Sequence, residues 1–114
     1  MNERDRILMQ DIVAYGQEAV TLLGNRTGAA LAEERVVYLA VCRLAEIVGE
    51  ASSKVTAETR AKHPGAPWRE AADMRNILAH DYGRIDYDII ASTVRRDFPG
   101  LIAQVTKILE DETP

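Results

Sequence analysis

The sequence predicts an all-α protein, an antiparallel bundle of four main helices plus one short helix. Apolar residues recur at three- and four-residue spacing, and valine and isoleucine never alternate persistently with polar residues as a half-buried strand demands. Clusters of glycine, proline and turn-prone polar residues punctuate those periodic stretches. With 114 residues the chain has the length of one domain with a single core, and no internal repeat or low-complexity tract divides it.

The first helix starts after Asn2, a good N-cap, and carries Leu8, Ile12, Tyr15, Ala19 and Leu22 toward the core until Gly24. Gly24-Asn-Arg-Thr-Gly28 is a loop that places Thr27 or Asn25 near the next cap. The longest element is the second helix, from about Ala29 through Val37, Val41, Leu44, Val48 and Ala51, continuing to Lys62 before Pro64. Gly49 within it either weakens the helix or permits close packing. Cys42, the lone cysteine, reads as a buried small hydrophobe with no intrachain disulfide partner. His63-Pro-Gly-Ala-Pro67 ends that helix, and Pro67 suits the first turn of a third that runs to about His80. Gly83 opens a turn into Asp86, an N-cap for a short helix over Tyr87 to Arg96. The last helix carries Leu101, Ile102, Val105, Ile108 and Leu109, followed by an acidic tail.

Charge and motif content exclude several functions. Fourteen basic against 18 acidic residues give a net charge of −4, so adherence to nucleic acid through a general basic surface is opposed and an RNA enzyme would need a local basic patch. No apolar run approaches the ~20 residues of a membrane helix, and Met1-Asn-Glu-Arg-Asp-Arg leads into too mixed a helix for a signal peptide. The expectation is a cytoplasmic protein. Two histidines and one cysteine form neither a His-x3-His pair nor paired thiols, so no metal site or cofactor is predicted. Gly24 to Gly28 lacks the lysine and preceding strand of a P-loop, and Ser52, Ser53 and Ser92 have no histidine at a triad-like spacing.

The chemistry concentrates in Met74-Arg-Asn-Ile-Leu-Ala-His-Asp-Tyr-Gly83. On a helical wheel Trp68, Ala71, Ala72, Leu78 and Ala79 share one stripe with Arg75 near its centre. A guanidinium buried there would require an anion, a carboxylate or a neighbouring chain. Tyr82 lies within about 20° of Arg75 and His80 about 140° away, so a straight helix cannot point Arg75 and His80 inward together. Either the helix ends by His80, which Gly83 favours, or the two groups meet across a two-fold dimer interface. The alanines keep the stripe shallow, which allows close approach by another helix, from a second copy or from this chain.

The ordered set of Arg75, Asn76, three apolar residues, His80 and Tyr82 resembles the signature of HEPN-domain ribonucleases, and the tyrosine is similar to that of the HepT-type toxin branch. The framing segments EIVGEASSKV, HPGAPW, GRIDYDII and DFPGLI are similar to those of the family, so the resemblance spans roughly residues 36 to 105. It implies a HEPN-like bundle, a homodimer, and a toxin that cleaves RNA to a 2′,3′-cyclic phosphate. It also implies a partner antitoxin, an MntA-like minimal nucleotidyltransferase that adenylylates Tyr82. The catalytic residues would be Arg75 and His80. A histidine of ordinary pKa near ~6.5 can take the 2′-hydroxyl proton or protonate the 5′-oxygen, and arginine can fork two phosphate oxygens without Mg²⁺. Asn76, one turn before His80, would orient the imidazole or contact a phosphate.

Each residue also has a structural reading. Arg75 could pair with a carboxylate such as Asp73 or Glu46, His80 could serve the helix end, Asn76 could bond there, and Tyr82 could simply pack. His63 reads as exposed and inert. The alternative function is a noncatalytic helical module that binds a nucleotide or partner segment and supports an associated nucleotidyltransferase, a reading that the net acidity favours.

Overall fold

The computed structural model describes the backbone of residues 1–79 and 86–112 and the side chains of 1–75 and 86–112. Among the described residues there are seven helices and no strand: α1 Glu3–Leu23, α2 Gly28–Glu33, α3 Arg35–Lys54, α4 Ala57–Lys62, α5 Trp68–Ala79, α6 Tyr87–Arg96 and α7 Phe98–Asp111. The four longest are α1, α3, α5 and α7, as the all-α bundle required. Helix α1 packs between α3 and α7, α5 lies on α3, and α6 closes one end against α2. The start of α1 meets the end of α3 through Asp5 and Thr56, and the end of α7 through Arg6 and Glu112. Both neighbours therefore run antiparallel to α1.

Local chemistry sets the helix ends. The Asn2 side chain accepts from the Asp5 N–H at 2.7 Å, and Gly24 ends α1 at φ 55°, a left-handed conformation that glycine adopts without strain. Thr27 caps α2 and Asp86 caps α6 by accepting the N–H groups of Ala30 and Ile89. The buried stripe of α1 is Asp5, Met9, Ile12, Gly16, Ala19 and Leu23. Tyr15, expected inside, is exposed, because α7 approaches along Gly16: a Cβ there would stand 3.1 Å from Ile102 Cγ1.

The expected helix from Ala29 to Lys62 is three helices, and each break is tied to a side chain outside that stretch. Glu34 leaves helical geometry at φ −121° and ψ 75°, where its carboxylate accepts Arg26 Nε at 2.9 Å while Arg26 Nη1 bonds the Leu22 carbonyl. The second break lies at Val55 and Thr56. Asp5, fully buried, draws the Thr56 N–H at 3.1 Å and the hydroxyls of Thr56 and Thr59, each at 2.6 Å. Burial pushes the Asp5 carboxyl up, but these three donors outweigh it and hold the group below its ordinary range.

Two other expectations change. His63 is partly buried: its Nε2 lies 3.1 Å from Glu112 Oε1, and its carbonyl accepts the Trp68 indole N–H at 2.9 Å. Cys42 is half-buried, and desolvation raises its thiol above the ordinary range. No helix among the described residues is long and apolar enough to cross a membrane.

Candidate active site

Helix α5 carries the candidate motif and is seated on α3. Its inward face is Trp68, Ala71 and Met74, all buried. The seat is Gly49: a Cβ at that position would stand 3.0 Å from Arg75 N, 3.3 Å from the Ala71 carbonyl and 3.3 Å from Arg75 Cβ. Of the two roles open to Gly49 in the sequence, close packing is the one realised.

Arg75 departs from its expected environment. Its Cβ rests against Gly49, but the guanidinium leaves the apolar stripe and reaches the surface, where the side chain is 45% exposed. The physical reason is the cost of desolvating a permanent cation, which a long side chain avoids by laying its stem over the neighbouring helix and keeping its head wet. Nη1 meets Glu50 Oε2 at 3.1 Å and approaches Ser53 Oγ at 3.5 Å. Glu50 is thus the carboxylate partner, in place of Glu46 or Asp73; Glu46 pairs with Arg43 at 3.1 Å. The other Glu50 oxygen takes Lys54 Nζ at 3.3 Å.

The Arg75 hydrogen bond, followed by that of Lys54, holds the Glu50 carboxyl below its ordinary range, so it is ionised at neutral pH. Arg75 and Lys54 flank Glu50, and Asp11 and Arg43 line the same surface recess as Glu50 and Lys54. His80 and Tyr82 lie outside the described residues, as does the side chain of Asn76. The structure brings Arg75 together with Glu50, Ser53 and Lys54. Sequence reasoning missed those three, although Glu50 and Lys54 stand at the i, i+4 spacing of a helical ion pair.

A groove of about 390 Å³ opens on another flank of α5, between it and the junction of α6 with α7, lined by Pro67, Glu70, Met74, Arg96, Leu101 and Gln104 among others. Among the described residues no three His, Cys, Asp or Glu side chains gather as metal ligands.

Comparison with known proteins gives a consistent result. The family model described as HepT-like, Ribonuclease HepT-like, matches residues 13–108. A Methanocaldococcus jannaschii protein provisionally named an RNase is 30% identical over 112 residues, covering 97% of this chain and 93% of its own. A provisionally named RNase of Caldanaerobacter subterraneus is 40% identical over 80 residues, covering 70% of this chain and 71% of its own. A Thermococcus cleftensis protein named a probable ribonuclease HepT is 35% identical over 95 residues, covering 80% and 86%. No solved structure matches the chain significantly.

Proposed function

The chain belongs to the HepT-like ribonuclease family, and from that premise we propose that it is the toxin of a toxin-antitoxin pair, a metal-independent endoribonuclease of the cytoplasm. The observation that carries this reading is the solvent-facing Arg75 guanidinium of the motif in a protein of net charge −4. Arg75 binds the scissile phosphate and stabilises the charge that builds on it during attack by the 2′-hydroxyl. His80 removes the hydroxyl proton or protonates the departing 5′-oxygen, leaving a 2′,3′-cyclic phosphate. Asn76 orients the imidazole or holds a phosphate oxygen.

Two copies of the site, facing each other in a homodimer, supply one acid and one base. Support for an assembly comes from the exposed apolar side chains Val36, Leu39 and Ile89, at 81%, 49% and 46% exposure. The starts of α3 and α6, which carry them, are joined by an edge-on contact of the Tyr38 and Tyr87 rings with centroids 4.9 Å apart. A minimal nucleotidyltransferase silences the toxin by placing adenylate on Tyr82, whose added phosphate pairs with Arg75 and excludes RNA.

The groove beside α5 favours a second reading, a noncatalytic module that holds a nucleotide or a partner segment for an associated nucleotidyltransferase. Expression without any partner separates the two. Growth arrest by the wild type, relieved in the Arg75→Ala His80→Ala double variant, supports the ribonuclease; unimpaired growth with both favours the binding module.

A further inference from the structure

The Glu50 carboxylate faces two cations on the surface between α3 and α5, with one oxygen 3.1 Å from Arg75 Nη1 and the other 3.3 Å from Lys54 Nζ. All three side chains are close to half exposed. Ion pairs in that setting add little to stability, because water screens them and two long side chains must be ordered. Any further reason for the geometry must come from how it aims its groups.

That reason lies in what each contact leaves open. The main chain of Arg75 is fixed by its close approach to Gly49, so the guanidinium starts from a defined origin. The next residue, Glu50, receives Nη1, with Ser53 Oγ alongside. Among the described residues Nε and Nη2 make no hydrogen bond. These two nitrogens form the edge with which a guanidinium can grip two oxygens of a phosphate. Lys54 offsets the charge of Glu50, so the Arg75 cation is not cancelled by its partner.

We propose that Glu50 is a positioning residue for Arg75: it holds the Nη1 corner so that the Nε–Nη2 edge is presented to an RNA phosphodiester. The proposal rests on reading Arg75 as the phosphate-binding arginine of a ribonuclease. Glu50 itself touches no substrate.

The test compares wild type, Glu50→Ala and Glu50→Gln in three measurements. In RNA cleavage, Glu50→Ala should lower kcat by roughly 10- to 100-fold with little change in KM, as expected for a misplaced catalytic group. Glu50→Gln, which keeps an oxygen for Nη1, should recover most of that loss. Thermal melts should move by less than about 5 °C, because the lost pair is exposed. The third measurement needs no cleavage. The Arg75 Nε–H resonance in ¹H–¹⁵N spectra, assigned by its absence in Arg75→Lys, should shift when a 2′-deoxy oligonucleotide is added to wild type, and shift less at the same concentration with Glu50→Ala. A wild type that cleaves no RNA yet shows this difference would sink the ribonuclease reading and leave the positioning role standing. Equal shifts, or a Glu50→Ala variant that cleaves as fast as wild type or faster, would overturn the proposal. So would a collapse of the melting temperature in both variants, which would make Glu50 structural.

Discussion

Gly49 and Arg75 meet backbone to backbone, with the position of a Cβ on Gly49 only 3.0 Å from Arg75 N. The candidate arginine is thus set by an α3 residue that carries no side chain, and the distance between the two helices fixes where the guanidinium begins.

Gly49→Ala should therefore impair cleavage more than folding. Alanine gains about 1 kcal/mol of helix propensity, whereas overpacking against a main chain that cannot swing aside costs about 1–3 kcal/mol. The net expectation is up to about 2 kcal/mol of destabilisation, read from urea midpoints. Cleavage by the folded variant should fall well below wild type, because α5 moves as a body and takes Arg75 with it. Full activity in that variant would show that the seat is not needed.

The buried Asp5 makes a prediction about acid. Its pKa in the folded protein lies below the ordinary carboxylate value, so the stability it contributes is present at neutral pH and disappears as pH falls through the folded pKa. Asp5→Ala should cost roughly 2–4 kcal/mol at pH 7, since the charge-assisted bonds are lost and the Thr56 and Thr59 donors are left without their acceptor. The cost of the same substitution should shrink as the pH falls below the ordinary carboxylate value. Urea titrations from pH 7 downward check the sign; a loss that grew as the pH fell would contradict the lowered pKa.

The ends of the helices were legible in the sequence because their causes are local. Asn2, Thr27 and Asp86 each cap a helix through an N–H three residues away, and Gly24 supplies the one positive φ among the described residues. The break at Thr56 was not legible, since Asp5 acts from 51 residues away and α3 keeps its apolar period up to that point. Arg75 was identifiable from its company in the motif. Its surroundings were not, because the wheel places residue 75 on the apolar face and cannot show that Gly49 lets the side chain leave along α3.

Arg75 and His80 should behave as one unit. Each alanine variant is expected to lose nearly all cleavage, and the double variant should lose little more, because groups that act in a single step are not additive. Losses that instead multiply would place the two residues in separate roles.

A homodimer should appear by light scattering at micromolar concentration with twice the 12.6 kDa of the chain. Replacing Val36 and Leu39 together by glutamate should give a folded monomer that no longer cleaves RNA, since the apolar contact would then have to bury unpaired carboxylates. A wild-type monomer with full activity would remove the composite site.

Tyr82→Phe tests the proposed switch. It should remain toxic, gain no mass after incubation with the nucleotidyltransferase and ATP, and escape neutralisation. Silencing as complete as that of wild type would mean that another residue carries the adenylate.

The most direct measurement is cleavage of RNA by the purified wild type and the Arg75→Ala His80→Ala variant, each with excess chelator, with analysis of the product ends. Wild type should produce 2′,3′-cyclic phosphates undiminished by the chelator, and the double variant should leave the RNA intact. Equal cleavage by both, or a wild type silenced by the chelator, would contradict a metal-independent Arg75 and His80 site.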